Sequence, residues 1–302
     1  MYEIRTDLAL ESGERFREKH VEIHGVIVEE TQKKDSDIKT TIVKIETENG
    51  SAAMGKPQGS YITIEAPALS EPDETYLDTV AGEIANHLKQ LFPFQQNQTV
   101  LVVGLGNRKA TADALGPWVI EKIHITRHMI QEFGMDWETD TYKYKISALI
   151  PGVMAATGME TYEIVKGVVE EIKPDVVIAV DALAARGIRR LGRTIQMTDT
   201  GVHPGSGVGN HRKGLNKETL RIPVIGIGIP TVVDAATIVH DAVEHLLRVL
   251  DDEEQREFLD EMITPNLRSM YVTPKDVDET VELLSKTVAK GINLLLEGNA
   301  AN

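Results

Sequence analysis

The chain has 302 residues, 41% hydrophobic and 26% charged, enough apolar material for one large or two small globular domains, and it carries no low-complexity tract. Its 47 acidic and 32 basic residues leave a formal charge of -15, which repels phosphate backbones and argues against a nucleic-acid partner. The lack of cysteine excludes disulfides, a thiol nucleophile and Cys-ligated zinc or iron-sulfur centres.

The first residues are charged and lack the apolar core of a secretory signal, and no apolar run approaches the roughly 18 residues of a membrane span. A soluble, cytoplasmic chain is the expectation. Residues 1–20 read as a polar leader and helix. Residues 21–72 contain three alternating or β-branched stretches, starting at His24, Thr41 and Ser60, which predict an antiparallel strand meander packed on the core. Tyr76, Val80, Ile84, Leu88 and Leu91 then recur at helical spacing, predicting a helix over 74–91 that Pro93 ends.

From Thr99 the pattern becomes α/β. The apolar run Thr99–Val103 has the look of a strand covered on both faces. A helix over 115–133, a strand over 145–150, a helix over 159–172, a strand over 175–181, a strand over 222–229 and a helix over 232–250 follow in alternation. An amphipathic helix over 277–296 closes the chain after the acidic run at 251–254. The fold expected is α/β, a mostly parallel central sheet flanked by helices over 73–302, with the strand meander in front of it.

In open parallel sheets, ligands and reactive groups gather beyond the carboxyl ends of the strands. Two segments bring carboxylates there: Gly104-Leu-Gly106-Asn107, followed shortly by Asp113, and the strand that runs into Asp181. Two close carboxylates cannot both ionise cheaply, so one can keep a proton while the other activates water, as amide hydrolysis needs. Each also has an ordinary structural explanation, Asp113 as a helix N-cap and Asp181 as an Asx-turn residue.

Gly106 and Asn107, with Gly205, Ser206 and Gly207 of the glycine-rich run 201–211, are candidates for an oxyanion or substrate loop. Ser206 lacks the Gly-x-Ser-x-Gly setting of a hydrolase elbow, and no P-loop occurs. His124 and His128 stand four apart on the predicted helix but lack the Glu of a zincin motif, so no metal is expected. A nucleotide-binding module, prompted by Gly104-x-Gly106, is disfavoured because Lys109 occupies the next glycine position.

Taken in order, Arg5-Thr-Asp-Leu-Ala9, Val103-Gly-Leu-Gly-Asn107, Asp113-Ala-Leu-Gly-Pro117, Pro151-Gly-Val-Met154, Asp181-Ala-Leu-Ala-Ala-Arg186 and Asp199-Thr-Gly-Val-His-Pro-Gly-Ser-Gly-Val-Gly-Asn210 resemble the germination protease family of spore-forming bacteria over nearly the whole chain. The resemblance implies an endopeptidase of the forespore and spore core that degrades small acid-soluble spore proteins. It further implies a zymogen assembled as a homotetramer, with no cofactor, Asp113 and Asp181 as its aspartic residues, and a fold similar to hydrogenase maturation endopeptidases. Thr6-Asp7-Leu8-Ala9 resembles the family's substrate motif, implying self-processing between Asp7 and Leu8. A metal-dependent maturation endopeptidase on the same fold is the alternative.

Overall fold

A computed structural model of the chain describes residues 6–17, 23–34, 36–133, 143–203, 213–247, 254, 258, 261–264 and 266–297. The expected meander is present as strands β1 (Val26–Gln32), β2 (Lys39–Ile45) and β3 (Gly59–Glu65), paired antiparallel in sequence order. The β2–β3 connection carries a helix, α2 (Glu48–Met54), that strand periodicity does not signal. Thr47 starts it by accepting from the Gly50 N–H at 3.1 Å, and Gly55 at φ 63° stops it.

Helix α3 (Glu74–Leu91) has the predicted bounds, with the Asp73 carboxylate capping the Tyr76 N–H. The helix expected over 115–133 is instead two, α4 (Leu115–Ile120) and α5 (Arg127–Phe133). Tertiary pairing interrupts it: Thr126 donates through Oγ1 to the Tyr144 carbonyl, accepts from the Ile146 N–H, and donates its own N–H to the Ile146 carbonyl. His124 and His128 therefore do not share a helix face, and the Nδ1 of His124 pairs with Glu297.

The remaining elements are β4 (Thr99–Gly104), β5 (Lys145–Leu149), α6 (Met154–Thr157), α7 (Thr161–Ile172), β6 (Val176–Ala185), β7 (Thr194–Thr198), α8 (Lys217–Leu220), β8 (Val224–Asp234), α9 (Ala235–Leu247), β9 (Tyr271–Val272) and a C-terminal helix (Val277–Glu297). Among the described residues the strands form one sheet in the order β1-β2-β3-β7-β8-β6-β4-β5, with β9 against β8.

The expectation of a mostly parallel sheet is corrected here. Only β8-β6, β6-β4 and β4-β5 pair in parallel, and the other five pairings are antiparallel. The cause is β7, whose sequence Thr-Ile-Gln-Met-Thr has no strong apolar signature although all five residues are buried. It pairs antiparallel with both β3 and β8, so the meander continues the central sheet.

Alternation along the strands assigns the two faces. Val100, Val102, Ile178, Val180, Ile195, Met197, Ile225 and Ile227 pack with Val80, Ile84 and Leu88 of α3 and Leu284, Val288 and Ile292 of the C-terminal helix. Leu101, Val103, Val177 and Ala179 face the other way, onto Val165 and Val169 of α7. On that second face, Asp181 is the next residue after Ala179, and it opens onto a cavity rather than onto a helix.

Candidate active site

A cavity of about 570 Å³ lies on the second face. Its lining includes both sequence-predicted aspartates, Asp113 and Asp181, and the predicted processing residue Asp7. Asp181 sits within β6, which runs on to Ala185, so the Asx-turn explanation does not apply. It is 8% exposed, lies opposite Gly228 of β8, and accepts through Oδ1 from the Ala182 N–H at 3.0 Å.

Asp113 ends a short 3-10 turn (Thr111–Asp113), and Ala114 occupies the N-cap position of α4, so it is not a helix cap. Its loop is fastened to three strands. The Asn107 N–H, just past β4, donates to the Asp113 carbonyl and to its Oδ2, each at 2.9 Å. The Leu105 N–H donates to the Val180 carbonyl of β6 at 2.8 Å, and the Thr231 hydroxyl of β8 donates to the Ala112 carbonyl. Gly106, at φ 112°, makes this possible, since a Cβ there would overlap the Asp113 carbonyl oxygen.

Of the predicted oxyanion or substrate residues, Gly106 lines the cavity, whereas the Asn107 N–H is already engaged by Asp113. Gly205, Ser206 and Gly207 lie outside the described residues. Among the described residues no group of three or more His, Asp or Glu is arranged to hold a metal ion, and no helix is long and apolar enough to cross a membrane.

The amino-terminal segment enters the same cavity. Leu8 and Ala9 are fully buried, Leu8 against Ala185, Leu191 and Val233, and Ala9 against Val43, Ile45, Met54 and Tyr61. Glu11 anchors the start of α1 (Ala9–Arg17): its carboxylate accepts from the Arg186 and Gly187 N–H groups at 2.8 and 3.0 Å. Residue 7 is held on both sides, its N–H donating to the Ala184 carbonyl at 3.0 Å while its Oδ2 accepts from the Ala184 N–H at 2.9 Å.

Two polar residues absent from the sequence reading complete the wall. Lys56, half-buried just after α2, has its ammonium pulled below the usual lysine range by burial, which Asp7 and Glu11 partly oppose. Gln196 of β7 is 7% exposed. His203 is held below the ordinary histidine range by burial and then by Lys56, and burial pushes the Tyr61 phenol up to about 12. No periodicity or motif marks Lys56 or Gln196.

Comparison with known proteins agrees with the early pattern of motifs. A family model described as germination protease matches residues 3–250. The germination protease of Caldanaerobacter subterraneus subsp. tengcongensis is 44% identical, the match covering 97% of this chain and 94% of that one. That of Clostridium perfringens is 42% identical over 99% of this chain and 97% of its own, and that of Bacillus pumilus 37% over 98% and 94%. Among solved structures, a NiFe hydrogenase maturation protease, HycI from Thermococcus kodakarensis KOD1, is loosely similar, at 17% identity and a TM-score of 0.36 over 70% of this chain and 98% of that one. A match across most of the chain at such identities leaves one assignment: the chain belongs to the germination protease family.

Proposed function

We propose that this chain is the endopeptidase that begins the degradation of small acid-soluble spore proteins in the germinating spore. It is made as a zymogen that processes itself between Asp7 and Leu8, assembles as a homotetramer in the forespore and spore core, and hydrolyses amides with Asp113 and Asp181. The supporting observation is that these two carboxylates and Asp7 line one cavity in a germination protease family member.

One carboxylate takes a proton from water as the water oxygen attacks the peptide carbonyl carbon. The other carboxyl, protonated, gives its proton to the leaving nitrogen as the C–N bond breaks. Asp113→Asn and Asp181→Asn keep the side-chain shape but cannot exchange these protons. Each is expected to lower peptide cleavage at least about 10³-fold with unchanged folding and assembly, measured by cleavage rate, circular dichroism and light scattering. Turnover near that of the unmodified chain by either variant overturns the assignment.

A further inference from the structure

The carbonyl oxygen of Asp7 receives two hydrogen bonds, from Lys56 Nζ at 2.9 Å and from Gln196 Nε2 at 3.1 Å. The same Gln196 amide accepts from the Ala9 N–H at 2.6 Å through Oε1, so it straddles Leu8 and clamps the peptide on both sides of the Asp7–Leu8 bond. Lys56 also reaches the Thr6 carbonyl, at 3.4 Å. Both side chains line the cavity that holds Asp113 and Asp181.

Sheet register relates Gln196 to Asp181. Gln196 is paired with Gly228, and Gly228 with Asp181, so all three lie in one row on one face of the sheet. Two strand spacings separate Gln196 from Asp181, roughly 10 Å between their backbones. Leu183 of β6 packs over Gly228 in the middle of the row, in space that the missing side chain leaves for it.

We propose that Lys56 and Gln196 are the catalytic donors that hold and polarise the carbonyl oxygen of the peptide being cut, with the chain's own Asp7–Leu8 bond seated as substrate. This rests on the self-processing at that bond proposed above. As water attacks, the carbonyl π pair moves onto oxygen, and the charge that develops meets Nζ–H and Nε2–H already in place. Collapse re-forms the carbonyl, breaks the C–N bond and releases the Leu8 nitrogen with a proton from one aspartic carboxyl. The proton taken from water restores the pair with its roles exchanged. Burial suits Lys56 to this work, because a donor in a low-dielectric wall acts more strongly than one in water.

The test uses purified full-length protein, with cleavage at Leu8 read by amino-terminal sequencing, and the processed protein acting on a peptide of residues 3–12 of this chain. Lys56→Met and Gln196→Glu, the latter replacing a donor by an acceptor at nearly constant volume, are each expected to lower kcat about 10²–10³-fold, with KM changed far less. Lys56→Arg keeps a donor and most of the activity. It also moves the alkaline limit of kcat upward, since arginine does not titrate there while Glu11, His203 and Tyr61 around it, and the aspartate of the peptide that replaces Asp7, are unchanged. Should a variant misfold, the unmodified protein decides: a thioamide at the scissile bond offers sulfur, a poor acceptor, and is expected to be cut at least tenfold more slowly than the oxygen peptide, on the order of 1.4 kcal/mol. Unchanged kcat in Lys56→Met and Gln196→Glu, or equal rates for the two peptides, overturns the donor assignment. An inactive Asp113→Asn control beside them keeps the aspartate reading standing; an active one removes that reading instead.

Discussion

Gly106→Ala is the perturbation whose consequence can be worked most directly from the geometry. At φ 112° an alanine is strained by itself, by about 1–3 kcal/mol. With an unfolding entropy of about 2.1 cal/mol/K per residue, the 302-residue chain would lose roughly 2–5 °C in Tm. The new methyl also collides with the Asp113 carbonyl oxygen and stands 3.0 Å from its Oδ1, so the Asp113 loop must retreat. A retreat of about 1 Å at a reacting group costs on the order of 10²-fold in rate. Gly158→Ala separates the two effects, because Gly158 is also at positive φ, 73°, but has open space around the missing Cβ. Calorimetry and peptide cleavage on both variants should show a Tm loss in each, larger in Gly106→Ala because of the added collision, and a rate loss in Gly106→Ala alone. Equal activity in the two variants refutes the idea that Gly106 exists to admit the Asp113 loop.

Two further expectations concern reagents and pH. Chelators, alkylating agents and serine-directed acyl reagents should leave cleavage unchanged, in keeping with a chain that has no cysteine; activity lost to a chelator and restored by a divalent ion would favour the metal-dependent alternative. The Tyr61 phenol, pushed up to about 12 by burial, keeps its proton in the folded state where the unfolded chain releases it near the ordinary value of 10. Its contribution is therefore present below pH 10 and lost as pH rises towards 12, by about 2–3 kcal/mol. Denaturant melts should show Tyr61→Phe losing less stability over that window than the unmodified chain, and identical pH slopes would refute the assignment.

The elements legible in the sequence were those whose periodicity comes from simple burial. α3 and the C-terminal helix each present a continuous apolar stripe to the sheet, and β4, β6 and β8 are apolar because helices cover both faces at their amino ends. What escaped was structure imposed by tertiary contacts on weak local signals. Thr126 breaks a plausible long helix by bonding to the start of β5, and α2 depends on a Thr47 cap and the Gly55 stop rather than on an apolar stripe.

Within the site the same division recurs. Asp113 and Asp181 could be picked out because each comes after an apolar run, β4 for Asp113 and Val176–Val180 of β6 for Asp181, where open α/β sheets collect reactive groups. Lys56 and Gln196 could not, since neither belongs to a local pattern and 140 residues separate them. They meet because Gln196 is paired with Thr63, and Lys56 stands three residues before the strand that carries Thr63. That pairing is the β3–β7 contact, made by the one central strand that lacked an apolar signature. A single weak strand thus accounts for both departures from expectation: it turns the sheet mixed, and it carries a lysine from the antiparallel meander to the rim of a cavity whose carboxylates stand on the parallel half.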